Sequence, residues 1–564
     1  MTEWRSKNNP GRAAAIQIRD KQIPQPIVQI LQNRGYETPR SIEKFFAPSL
    51  SDLHDPFLLN DMEKAVVRIV KAIDAKERIL VHGDYDTDGI TGTALLVRNL
   101  EKFGVAVQYY IPHRLEEGYG LSMAGIRKAI ADHCTMIITV DCGSSALDEI
   151  AHAGEHNIDV IVCDHHLPGE VLPPALAVVN PKLPGSTYPF QDLAGVGVAF
   201  KLLAALYQRM DKPLEELHED LDLVALGSVV DIVPLVGENR ILAKYGMRRI
   251  SMSQKKGIQA LLKETGLPRT LTSYHLGFII GPRINACGRM HDAQSALELF
   301  LTNDLARAAE IARSLSLDNE KRKTIQDETY RAARSVIDSL DLAPHRIIVL
   351  AQEGWHEGVL GIVASRIVSE YYRPAIVLSI KQDVAKGSAR SIPGFDITNA
   401  IGQCRDMLVK YGGHGQAAGL ELRHENLERF RHCINEHARN LEDSIFEKRS
   451  YYDIQLGIDE ITPEVVHFLK YFEPTGIANP QPVFRGEDLE VVGVPRVVGA
   501  NHLMIALRQH DRVLPAIAFD RAGEILNIEI GKTRVNCLYS IADDSYTGKR
   551  KTMLRIHEMV KVGQ

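Results

Sequence analysis

The chain has 564 residues, a formal net charge of −6, and 45% hydrophobic and 24% charged residues. That balance excludes a disordered or low-complexity polymer, and the length exceeds what a single core usually fills, so several domains are expected. A mildly acidic total neither requires nor excludes a nucleic-acid partner, because a local basic groove can sit on an acidic protein.

The opening residues, MTEWRSKNNPGRAAAIQIRD, contain no apolar core segment, so no secretory leader is expected. No run of about 20 apolar residues predicts a membrane span. The seven cysteines are scattered and form no CxxC pair, which predicts free thiols in a reducing, cytoplasmic setting. Residues 1–75 are expected to form a helical lead-in. From about 78 to 190, short β-branched runs (RILVHG, AVQYYIP, TMIITV, DVIVCD, ALAVVN) alternate with helical patterns, which predicts βαβ units and a mostly parallel sheet. The pattern then turns helical to about 300. Residues 304–340 lack Pro and Gly and predict one long helix, with a break near Leu317 as the alternative. A second α/β lobe follows, and after about 450 short strands at regular spacing suggest a small barrel. The fold class expected is therefore α/β with a first lobe built on a mostly parallel sheet, a long connecting helix, a second α/β lobe and a C-terminal β-barrel. The expected boundaries are 1–75, 76–303, 304–342, 343–445 and 446–564.

The densest chemistry lies in VHGDYDTDGITGTALL, where Asp84, Asp86 and Asp88 follow directly on an apolar strand. Asp141 in ITVDCG and Asp164, His165 and His166 in IVCDHH stand at the ends of later strands, and Asp231 follows in GSVVDIVPL. Parallel sheets put their ligand sites along one strand edge. Carboxylates and imidazole converging there would cage hard divalent cations, and the imidazole shifts the preference towards Mn²⁺. Two such ions about 3.5–4 Å apart serve phosphoryl chemistry, and a carboxylate must then bridge them. Asp141, alone on the middle strand end, is the candidate bridge. DYDTDG is not a calcium loop, since the twelfth position is Leu95 rather than Glu.

HGDYDTDG, VDCG, CDHH and the isolated Asp231 resemble the four motifs of the DHH phosphoesterase superfamily, while PRINACGRM, GSARS and YGGHGQAAG resemble those of its RecJ branch, the single-strand-specific DNA exonucleases. The resemblance covers nearly the whole chain, and it implies an OB fold for the barrel. It implies that Asp86 and Asp88 are metal ligands, that Asp84 or His82 fills a further position, and that His165 and Asp231 complete the second ion's shell. His166 would face the scissile phosphate and Asp164 would orient a ligand imidazole. Two Mn²⁺ or Mg²⁺ ions, 5′→3′ release of mononucleotides from single-stranded DNA, and work in repair and recombination beside single-strand-binding protein and a RecQ-type helicase are likewise implied. The alternative activity is that of a relative cutting short oligonucleotides or cyclic dinucleotides. A monomer is expected.

Several residues look fit to hold the strand. Arg283, among small residues with Asn285, could grip a phosphate, while Arg289 reads as a helix cap. Arg114 and Tyr119 sit in a loop after a strand. KGSARS offers Lys386, Ser388 and Arg390. Gly412, Gly413 and His414 offer backbone N–H groups to an anion. His356, Gly358 and Arg366 suggest a helix start aimed at the same cleft. On the barrel, Arg485, Arg496, His502 and Arg508 are candidate contacts.

Overall fold

The strand RILVHG explains the catalytic lobe. As β1 (Arg78–Gly83) it is buried everywhere but at Arg78, as a strand covered on both faces must be. The structure, a computed structural model, describes residues 3–7, 17–18, 21–114, 116–290, 293–342, 345–499, 501–544 and 551–562. Helix α1 (Thr87–Lys102) follows β1, and then come β2 (Ala106–Tyr110), β3 (Met136–Val140), β4 (Asp159–Cys163) and β5 (Ala177–Val179). They form one five-stranded sheet in the order β2-β1-β3-β4-β5, parallel throughout. Gly83 pairs with Val140 and Val140 with Cys163, so Asp84, Asp141 and Asp164 all leave the sheet at one level. Register alone thus brings three motifs to the same edge.

The predominantly helical stretch predicted after residue 190 holds α2 (Gly195–Arg209), α3 (Leu221–Val230) and α4 (Gly281–Met290). Helix α5 (Leu305–Asp338) runs unbroken for 34 residues, with the Asp304 side chain accepting from the N–H groups of Ala306 and Arg307.

The second lobe is a five-stranded sheet of β6 (Ile348–Glu353), β7 (Ala375–Lys381), β8 (Val384–Arg390), β9 (Leu408–His414) and β10 (Ala417–Arg423), in the order β9-β10-β8-β7-β6. Only β6 and β7 pair in parallel. Helices α6 (Glu357–Tyr371), α7 (Ile397–Gly402) and α8 (Leu427–Arg439) cover it. Cys404 and Cys433 are joined by a disulfide with a Cα–Cα distance of 6.3 Å, which corrects the expectation of seven free thiols. The turn after α7 and one face of α8 share an apolar core, a meeting hidden in the sequence by the 29-residue separation. The other five cysteines are free and buried.

The chain divides into two compact units, Asp55–Val233 with Tyr245–Lys448, and Met1–His54 with Pro234–Lys244 and Arg449–Gln564. The second unit contains the barrel: β11 (Phe484–Val498), β12 (His502–Gln509), β13 (Arg512–Ala518), β14 (Arg534–Asp544) and β15 (Lys551–Lys561) close through the β11–β14 pairing. Its core includes Ile27, Ile30 and Leu31 from near the start of the chain. Arg240, from the 234–244 segment, is buried there beneath the Phe45 ring, donating to the carbonyls of Phe472 and Tyr471.

Candidate metal centre and phosphate-binding site

Asp86 ends the turn after β1 and N-caps α1, its Oδ1 accepting from the N–H groups of Asp88 (2.9 Å) and Gly89 (3.2 Å). A carboxylate belongs there, because the helix N-terminus leaves unpaired donors. Asp88, in the first turn of α1, is fully buried and accepts from the N–H groups of Gly195 (2.7 Å) and Val196 (2.8 Å) at the start of α2. Gly195 also makes room for Asp141: a Cβ there would lie 2.6 Å from the Asp141 Cβ. The small residues of LAGVG were the available signal for this close approach, and it went unread.

Asp141 takes a left-handed backbone (φ 61°), unusual for a residue other than glycine. Its N–H donates to Cys163 O (2.9 Å), and its carbonyl accepts from the Tyr119 hydroxyl (2.8 Å). His165 Nε2 lies 3.0 Å from Asp141 Oδ1, 3.6 Å from Asp231 Oδ2 and 3.9 Å from Asp88 Oδ2. Asp231 stands at the C-terminus of α3 rather than at a strand end. Three overlapping groups of ligand atoms result here, Asp84–Asp86–Asp141, Asp88–His165–Asp231 and Asp141–His165–His166, each within 4.8 Å; the first two contain the carboxylate-rich sets.

The electrostatics of these groups call for a cation. Burial and mutual repulsion raise the carboxyl pKa values of Asp84, Asp141 and Asp231, and push Asp88 up to about 7. Burial and the neighbouring His166 push His165 down to about 3, leaving a neutral ligand imidazole. Asp141 Oδ1 and His165 Nε2 are both buried without a hydrogen-bond partner although they face each other across 3.0 Å. His165 Nδ1 is likewise buried without a partner, as the donor atoms around an ion site are. Oxygen donors with one imidazole fit Mn²⁺ or Mg²⁺.

His82 lies outside all three groups. It is buried against Tyr110, its Nε2 accepts from the Ser122 N–H (3.3 Å), and burial pushes its pKa down to about 4. The Asp164 carboxylate reaches the ring of His166 (Nδ1, 2.8 Å) and the backbone N–H groups of His165 and Ser144; its ring contact is therefore to His166 and not to the ligand imidazole. Burial opposes ionisation of Asp164, but the His166 bond holds its pKa below the usual range. His166 Nδ1 lies 3.8 Å from Asp141 Oδ1.

The phosphate candidates divide. Arg283 is held within its surroundings, donating to Ser316 Oγ (3.1 Å) and Ile279 O (2.6 Å). Asn285 turns its amide oxygen to Thr87, accepting from N–H (2.8 Å) and Oγ1 (2.7 Å), and so braces the first motif. Arg366 pairs with Asp327 and lies over the Tyr330 ring, facing α5. His356 caps α6, accepting from the Gly358 N–H. Lys386 pairs with Glu357. Arg289, expected as a cap, instead donates to Gly358 O at the start of α6 (3.0 Å). Burial, together with Arg114, Arg322 and Arg390, pushes it down to about 9. Arg390 is lowered by burial and by Arg114. Arg114 lies 4.7 Å over the Tyr85 ring, beside the first motif. Among the described residues no carboxylate pairs with Arg114, Arg289 or Arg390. Gly361 leaves space for this group, since a Cβ there would lie 2.8 Å from Arg390 Nη2 and 3.5 Å from Ser388 Oγ. The convergence of Arg289 with Arg114 and Arg390 was not foreseen; the GRM following Asn285 was its only trace.

Strand β9 is the exposed edge of the second sheet. Its Gly413 and His414 line a cleft of about 620 Å³ together with Leu167, the residue after His166, while Gly412 lies open beside them. On the barrel, Arg485 pairs with Glu487, Arg508 with Glu490 and His502 with Asp520, while Arg496 has no carboxylate partner among the described residues.

Residues 78–228 match the DHH family N-terminal domain, 345–440 the DHHA1 domain and 452–558 the RecJ OB domain. Relatives named single-stranded-DNA-specific exonuclease RecJ include those of Haemophilus influenzae (36% identical, covering 90% of this chain and 92% of the relative) and Escherichia coli (34%, 95% and 96%). The structure of RecJ from Thermus thermophilus with Mn²⁺ superposes with a TM-score of 0.82 at 28% identity, covering 99% of this chain and 79% of that one. The same protein with Mg²⁺ gives 0.77 at 27%, covering 99% and 78%. No helix among the described residues is long and apolar enough to cross a membrane.

Proposed function

This chain belongs to the RecJ family of single-stranded-DNA-specific exonucleases, and on that premise we propose that it releases mononucleotides from the 5′ end of single-stranded DNA at the carboxylate cluster. It is a metal-dependent hydrolase that uses Mn²⁺ or Mg²⁺. The observation that carries the site reading is the pair of ligand groups meeting at Asp141 and His165, with buried donor atoms left unpaired. Asp84, Asp86 and Asp141 would hold one ion and Asp88, His165 and Asp231 the other. Bound there, the ions neutralise charge building on the phosphoryl oxygens and acidify an attacking water.

The chain's own side chains do the rest. Asp86 and Asp88 are fixed by helix N-termini, so the carboxylates need little reorganisation when substrate arrives. His166 gains a raised proton affinity from Asp164, which overcomes the cost of burial, and so can donate to a non-bridging phosphate oxygen. Arg114, Arg289 and Arg390, with Ser388, receive the terminal 5′-phosphate; guanidinium groups crowded together with no paired carboxylate among the described residues favour a dianion. Arg289 takes the place first given to Arg283, whose Nε and Nη1 are turned to Ser316 and Ile279. The backbone N–H groups of Gly412, Gly413 and His414 guide the next phosphates.

In this reading residues 76–303 catalyse, 304–342 connect, 343–445 hold the strand and 446–564 track the strand backbone, with 1–75 as lead-in. The enzyme works as a cytoplasmic monomer in repair and recombination, alongside single-strand-binding protein and a RecQ-type helicase. Digestion of 5′- and 3′-labelled single and double strands with Mn²⁺ or Mg²⁺ tests it. Labelled mononucleotide should appear first from the 5′-labelled single strand. Release from the 3′ end, or a preference for dinucleotides over long strands, would overturn the proposal.

A further inference from the structure

The loop between β2 and β3 touches the catalytic edge at three points. Arg114 stacks over Tyr85. The backbone N–H of Gly120 faces the Asp84 carboxylate and opposes the rise in its pKa. The Tyr119 hydroxyl donates to the backbone carbonyl of Asp141 (2.8 Å) and meets His166 Nδ1 at the same distance. Its ring is half-exposed (53%), so apolar burial does not explain the residue. Gly118 and Gly120 flank it with φ of 87° and 102°, conformations that bend the loop so that one side chain points inward between them.

The hydroxyl has one proton, and Asp141's carbonyl can only accept. The contact with His166 therefore uses the Nδ1–H, the same hydrogen that faces Asp164 Oδ1 at 2.8 Å. One oxygen thus fixes both the left-handed backbone of the proposed bridging carboxylate and the ring orientation of the proposed phosphate-facing imidazole. The same loop carries Arg114, five positions before Tyr119 in the sequence.

We infer that Tyr119 is a positioning residue that sets the Asp141 geometry for the divalent ions and couples it to occupation of the Arg114 pocket. The inference rests on the metal and phosphate assignments proposed above. Tyr119→Phe keeps the ring and removes only the hydroxyl. Mn²⁺ affinity of the DNA-free protein, measured by titration calorimetry, should fall about 10–100-fold, as should kcat on single-stranded DNA, while KM for the strand stays within about twofold. Thermal unfolding of the metal-free variant should match the parent, which separates positioning from folding. Unchanged Mn²⁺ affinity and kcat would overturn the inference. A rise in KM alone would do so too, by making Tyr119 a strand contact. Failure of the parent protein itself to bind Mn²⁺ or to cut single strands would instead sink the proposed function.

Discussion

The two α/β sheets of the catalytic unit are built from similar residues and do opposite things with their edges. The parallel sheet ends in buried carboxylates, of which Asp88 and Asp164 are fixed by backbone donors while Asp141 Oδ1 is left without a partner. The mixed sheet ends in β9, exposed along nearly its whole length, with two glycines and a single fixed charge, Lys410. Chemistry that concentrates negative charge needs an enclosed, preorganised site, since unpaired charge is costly there until a cation arrives. Grip on a moving strand needs the reverse, a solvated backbone edge that many phosphates can visit in turn.

The contrast is broken most severely at Asp141. Asp141→Asn should lower kcat by about three orders of magnitude or more while sparing strand affinity, measured by single-turnover cleavage and by binding in Ca²⁺. An active variant would remove the bridging assignment and leave the two sheets equally dispensable.

The next effect is on pH dependence. Without metal, Asp88 binds its proton more tightly folded than unfolded, so its contribution to stability is complete below the ordinary carboxyl range and is lost as pH rises through about 7. The raised values of Asp84, Asp141 and Asp231 act in the same direction. The Tm of metal-free protein should therefore fall between about pH 5 and 8 relative to protein saturated with Mn²⁺, in which these groups stay ionised. A constant difference across that range would show that the carboxylates do not share a cation.

Arg390→Ala sharpens the comparison from the gripping side. Strand affinity should weaken about tenfold whatever the base sequence, and the slope of log K against log salt should shrink by about 0.7, with kcat at saturating DNA nearly unchanged. The smallest effect separates the two glycines of β9. Gly413 has φ 149° and no room for a Cβ, which would lie 2.3 Å from Ala417 O, so Gly413→Ala should cost about 1–3 kcal/mol on denaturant unfolding. Gly412 faces open space, and Gly412→Ala should change stability by less than about 0.5 kcal/mol. Equal losses would mean that the edge is packed rather than open.

Much of the catalytic sheet was legible because continuous apolar strands announce two-sided burial and register then fixes where the next residue falls. That places Asp84, Asp141 and Asp164 without any coordinates. Asp231 came from its motif alone, since it closes a helix. Side-chain direction was not legible: Asn285 turns inward to Thr87, Arg283 to Ser316 and Arg366 to α5, whereas Arg289 joins the arginine group. Nothing in residue type distinguishes a guanidinium that meets a carbonyl from one left for an anion. The Cys404–Cys433 bond was invisible for a related reason, since it depends on how two helices share one core.

The barrel unit draws Glu3–Ser6 into parallel pairing with Arg449–Tyr452, and Ile27, Ile30 and Leu31 into a core completed by residues as late as Ile556. During synthesis that early greasy helix must wait for the last strands to leave the ribosome before it finds its mates. Removing the strand that carries Ile556 would therefore leave apolar surface uncovered near Ile27, Ile30 and Leu31.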